Sequence, residues 1–243
     1  MATYRVLSIV PTVATLPGAG SPTVADEADV VLATNTAAQF PADMDRHSAG
    51  MCTIDLSVLV LAEALPSSVY TTQSDQEIIG PILLATHLGI VGEYDGVMVY
   101  SPAALTTATT FRGLGGTTSG TPWGWVKVGT GDEPAIAVHE WGHAMTVYLG
   151  TTMGTYTNFP SCGAGIPAIH CGEEYGFADD LDPAWLDGFF QGTLSDGTGI
   201  NATGWAVSTP TETGAKTLAS YREFAQPWGT LGALPVTVPG GGD

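Results

Sequence analysis

Five residues near the middle of the chain, His139-Glu140-Trp141-Gly142-His143, constrain it more than any other feature of its sequence. Residues four apart share one face of an α-helix, so His139 and His143 can hold one metal ion between them. Glu140 is one residue on, turned by about 100°, which sets its carboxylate beside such an ion rather than on it. The surrounding stretch favours helix over residues 134–149: Pro134 suits the first turn and Gly150 the end. Ala135, Ile136, Ala137, Val138, Ala144, Met145 and Val147 make the helix apolar on both flanks, as expected of a buried element. Two histidines and a glutamate inside a buried helix are costly without a partner. The alternative, a core helix with two internally satisfied histidines, has to meet that cost without an ion.

Around this helix the patterning is mixed. Residues 3–10 read as a buried strand, and residues 52–64 as a long strand with Ile54, Leu56, Val58 and Val60 on one side and Asp55 and Ser57 between them. Ser21-Pro22-Thr23 signals a helix start, with Asp26, Glu27 and Asp29 near its first turn; the helix is expected to run to about Gln39 and stop at Pro41. Ser74 and Glu77 have the spacing of a capping box, so residues 74–91 are expected to be helical. Gly96–Ser101 and Trp123–Val128 read as strands, and the Gly/Thr/Ser stretch 113–122 between them as a mobile loop. A helix is expected around 183–194, and the last 35 residues read as irregular, ending in a frayed Pro239–Asp243 tail. The fold class that follows is α+β, with residues 1–150 forming one subdomain and 151–243 a loop-rich second one.

The motif on its helix resembles that of the zincin metallopeptidases, which carry H-E-x-x-H on an active-site helix behind a small mixed sheet. The order of strands and helices over residues 3–149 resembles the zincin N-terminal subdomain. The resemblance implies a zinc-dependent hydrolysis of peptide bonds, with His139 and His143 on Zn²⁺ and Glu140 as general base. It also implies an edge strand before the active helix that pairs with an extended substrate, a place that Trp123–Val128 would fill. Metzincins continue their motif to a Gly and a third His, but this chain has Thr146 and Leu149 at those positions. The third ligand is therefore sought in His170-Cys171-Gly172-Glu173-Glu174-Tyr175-Gly176, which begins 27 residues after His143. His170 is the first choice, because it precedes a Gly-containing turn and adjoins a cysteine. Glu173 and Glu174 compete with it by analogy with zincins that use a later Glu, and Asp179, Asp180 and Asp182 remain open. Tyr175 is a candidate donor to the oxyanion of the reaction, a role some zincins give to a Tyr; packing at a turn would account for it equally. Asp187 could support a ligand histidine from outside. His47 and His87 are expected to be structural.

Charge limits the partners. With 6 Lys plus Arg against 24 Asp plus Glu, the net charge is -18, which excludes the clustered cations that nucleic acid or an anionic membrane surface needs. A peptide or protein substrate is compatible with it. Cys162 and Cys171 lie nine apart in a Gly- and Pro-containing loop and suit a local disulfide in an exported protein, leaving Cys52 unpaired and buried. The Gly/Thr-rich, Lys-poor composition points to secretion, although residues 5–10 are too short to read as an export signal and a cytoplasmic protein stays open. The reading that competes with an enzyme is a non-catalytic zinc-binding or interaction protein on the same scaffold. An intact Glu140 argues against it, since a structural site has no need of a base.

Overall fold

The computed structural model describes residues 1–154 and 156–207; the expected irregular C-terminal segment and tail lie outside the described residues. Strand β1 (Ala2–Pro11) lies inside a sheet and is nearly all buried. The next elements are the short strands β2 (Val13–Ala14) and β3 (Thr23–Val24), which pair with each other, helix α1 (Glu27–His47) and strand β4 (Cys52–Leu61). A hairpin β5 (Tyr70–Gln73) and β6 (Gln76–Ile79), helix α2 (Pro81–His87) and strand β7 (Gly96–Pro102) follow. Strands β8 (Gly113–Thr118) and β9 (Thr121–Val128) lead into α3 (Glu133–Val147), and α4 (Pro183–Gln191) and α5 (Ala202–Val207) close the described part. The main sheet has five strands in the order β4-β1-β7-β9-β8; the first four are parallel and β8 runs antiparallel at the edge.

Parallel strands buried on both faces read as continuous apolar runs, which is why every residue of β7 is buried. The alternation of side chains sorts them into two layers. On one face Tyr4, Val6, Val10, Met98, Tyr100, Val126 and Val128 meet α1 and α3 through Ala33, Ala37, Phe40, Met44, Ile136, Ala137 and Trp141. On the other face α2 packs against β7 and β9. The core on the α3 side continues past residue 150 into Ile169, Trp185, Phe189, Phe190 and Trp205, and the described residues fall in one compact unit. No helix among the described residues is long and apolar enough to cross a membrane.

Three expectations change. Helix α1 begins after Asp26, whose side chain accepts from Ala28 N, and it continues through Pro41 to His47. An interior proline costs about 3 kcal/mol, but Ala33, Ala37, Phe40, Met44 and His47 are all buried along one stripe that crosses it. Residues 74–79 are not helical: Ser74 and Asp75, both at positive φ, form the two-residue turn of the β5–β6 hairpin, and the helix starts only at Pro81. Residues 113–118 are a strand rather than a mobile loop, so β9 is internal and β8 takes the edge position.

Candidate metal centre

Helix α3 is set in place from its start. The Glu133 carboxylate accepts from the backbone N–H groups of Gly129, Thr130 and Gly131, at 2.7, 2.5 and 2.9 Å, tying the β9–α3 turn to the first turn of the helix. Burial alone would raise the Glu133 pKa, but these backbone donors outweigh it and hold it below its ordinary value. Trp141, fully buried, meets the rings of Tyr4 and Phe40 edge-on and fixes the rotation of the helix against the sheet and α1.

The approach of α3 to the edge strand depends on what β8 lacks. Gly113, Gly115 and Thr117 face the helix, and a Cβ on Gly115 would stand 2.0 Å from the main-chain oxygen of Glu140. A Cβ on Gly113 would stand 2.3 Å from Glu140 Oε1. Thr117 Oγ1 donates to Ala144 O at 3.1 Å. The glycine-rich segment is thus a strand whose missing side chains let Glu140 lie against the sheet edge.

The other half of the site comes from residues 162–182. Cys162 and Cys171 are joined by a disulfide, with Cα atoms 5.4 Å apart. His170 ends a 3-10 turn, Ala168–His170, directly before Cys171. The buried Ile169 side chain seats on α3 where Gly142 leaves room, since a Cβ there would meet Ile169 Cδ1 at 2.9 Å. Trp185 Nε1 donates to Ile169 O at 3.0 Å from α4. Gly142 therefore does more than space the two histidines: it admits the turn that carries the third.

His139, His143 and His170 converge, each offering a ring nitrogen, with all of these atoms within 4.8 Å of one another. His143 Nε2 and His170 Nε2 are 3.0 Å apart. His139 Nδ1 contacts the main-chain oxygen of Asp180 at 3.1 Å, and His170 Nδ1 contacts Asp180 Oδ2 at 2.8 Å. Burial lowers the pKa of His139 to about 4 and of His143 to about 3, so both rings are neutral, as metal ligands must be. The donor set fits a metal ion: three imidazoles whose ring nitrogens converge, with a carboxylate one residue after His139 on the same helix. That carboxylate, Glu140, is buried; its Oε2 makes no hydrogen bond among the described residues, and burial raises its pKa to about 8.

The remaining candidates are not in the converging group and make other contacts. Glu173 and Glu174 are exposed on a 3-10 turn, Glu173–Tyr175, and do not belong to the converging group. Tyr175 O–H donates to Asp196 Oδ2 at 2.6 Å, and its ring packs on Trp185. Asp182 caps α4 by accepting from Ala184 N, and Asp179 Oδ1 accepts from Leu181 N. Asp187 does not reach the histidine cluster as a support; it pairs with His47 Nδ1 at 2.7 Å, which joins α4 to the end of α1. His87 faces Glu63 at 3.6 Å, and Cys52 is a free, buried thiol.

No protein-family model matches the chain, and comparison with curated proteins finds no match. The functional reading accordingly rests on this site.

Proposed function

We propose that the chain is a zinc-dependent metallopeptidase of the zincin kind, with Zn²⁺ held by His139, His143 and His170. The observation that carries the reading is the presence, on one helix, of two of the three converging imidazoles and a buried carboxylate whose Oε2 has no hydrogen-bond partner among the described residues. Zinc at such a site supplies Lewis acidity that brings the pKa of a water near neutrality. Glu140 is the base: a dication beside it would offset the rise that burial causes and favour its ionised form, and its carboxylate takes a proton from the water that attacks the scissile carbonyl carbon and returns it to the amine nitrogen as the C–N bond breaks. The products are a carboxylic acid and an amine, so atoms and protons balance. The outer edge of β8 offers backbone donors and acceptors to an extended peptide beside Glu140, the place the sequence reading gave to Trp123–Val128. Tyr175 takes no step in this mechanism, because its hydroxyl proton goes to Asp196. The Cys162–Cys171 bridge favours an oxidising compartment and hence secretion.

The test is cleavage of a mixed peptide library by zinc-loaded protein, with and without chelator, beside Glu140→Gln. Cleavage should be abolished by chelation and reduced at least about 100-fold in the variant, with zinc still bound. A zinc-loaded wild-type protein that cleaves nothing would favour the non-catalytic zinc-binding alternative. Full activity in Glu140→Gln would remove Glu140 as base.

A further inference from the structure

One residue touches two of the three converging imidazoles. Asp180 Oδ2 lies 2.8 Å from His170 Nδ1, and Asp180 Oδ1 accepts from Gly172 N at 3.0 Å. The main-chain oxygen of the same residue lies 3.1 Å from His139 Nδ1. An ionised carboxylate and a carbonyl oxygen can only accept, so each contact requires the proton on the histidine Nδ1. Each then leaves the Nε2 lone pair free on the inner side, where His170 Nε2 faces His143 Nε2.

We propose that Asp180 is a positioning residue that sets the tautomer of His170 and so prepares the three-imidazole set for its ion. The inference rests on the metal reading above. His170 is the member that needs such support: it is exposed and stands on a short turn, whereas His139 is buried within α3. The two contacts of Asp180 are also separable. Replacing its side chain removes the hold on His170 and leaves the main-chain hold on His139.

That separation makes the conservative variant informative. In Asp180→Asn one amide oxygen faces two donors, Gly172 N–H and His170 Nδ1–H. If the oxygen stays on Gly172, the amide N–H₂ points at His170 Nδ1 and drives the ring proton to Nε2, where it blocks ligation. A residue that merely ties the loop would behave differently: Asn, the same shape and still accepting from Gly172, would bind zinc like the wild type, and only Ala would fail.

Zinc dissociation constants are measured by competition with a chromophoric chelator for wild type, Asp180→Ala and Asp180→Asn, together with Tm. The His170 tautomer is read in metal-free protein by long-range ¹⁵N–¹H correlation. The wild type is expected to carry the His170 proton on Nδ1. Both variants should bind zinc roughly 10–100-fold more weakly, and Asp180→Asn should do so with Tm close to wild type. Wild-type affinity in both variants, wild-type affinity in Asp180→Asn alone, or a wild-type His170 protonated on Nε2 would each overturn the inference. A wild-type protein that takes up no zinc at all would bring down the metal reading, and this inference with it.

Discussion

His139 and His143 stand on α3, whereas His170 stands on a 3-10 turn, and the two halves of the site are held by different physics. The helix half is placed by backbone proximity and core packing: Gly113 and Gly115 let α3 lie against the sheet edge, and Trp141 pins its rotation. The loop half has little regular structure, and discrete ties hold it instead: the disulfide, the Trp185 bond to Ile169 O and the two contacts of Asp180. Helix and sheet deliver a side chain through many weak contacts, so no single side-chain loss displaces it. A loop delivers one through few strong contacts, each of which can be removed alone.

The comparison can be broken most forcefully on the helix side. Gly115→Ala puts a Cβ onto a main-chain oxygen that cannot move without moving α3, and should cost about 3 kcal/mol, read as a fall in Tm by thermal unfolding. Gly113→Ala meets the movable end of Glu140 instead, so turnover should fall more than stability does. Equal effects of the two on Tm would mean that α3 is not seated on β8 as described. The second test acts on the loop half. Replacing the disulfide by Cys162→Ser with Cys171→Ala should cost about 2 kcal/mol and weaken zinc binding, while the far-UV circular dichroism that reports α3 stays unchanged. Unaltered zinc affinity would show that the bridge does not hold His170.

The smallest effect is expected at Glu133. Its pKa is held below its ordinary 4.5 in the folded protein, so its contribution is full above that range and is lost as pH falls through the lower folded value. Glu133→Gln should cost about 1 kcal/mol at neutral pH, and the gap from wild type should close on acidification. Denaturant unfolding at several pH values measures this, and a gap that widens toward acid would reverse the sign.

The helix half was the more legible in the sequence, because its signals are local. Pro134, the apolar flanks and the i, i+4 histidines all lie within one short segment. The glycine-rich strand was not, since glycine has low strand propensity and the value of Gly115 here comes from Glu140, 25 residues further along the chain. His170 could be named from its neighbours, but the choice of Asp180 as a contact rather than a ligand depends on how the loop folds back. Ser74 and Glu77 had the spacing of a cap, yet two residues at positive φ made a hairpin turn instead. Pro41 failed to stop α1 because burial on both sides of it outweighed a local penalty. At Pro41 and in β8 a contact distant in sequence overrode a local preference, whereas at Ser74 one local preference displaced another.

The glycines under α3 carry a consequence for how the protein can vary. At His139 or Glu140 a substitution is judged by chemistry, and a few near-equivalents can be imagined. At position 115 every alternative brings the same obstacle, a Cβ, so side-chain character hardly matters there. A saturation library selected for folding should therefore show a strong depletion of every substitution at 115, unlike the graded tolerance of an ordinary strand position. A residue with no side chain would then rank, by selection, beside the ligands themselves.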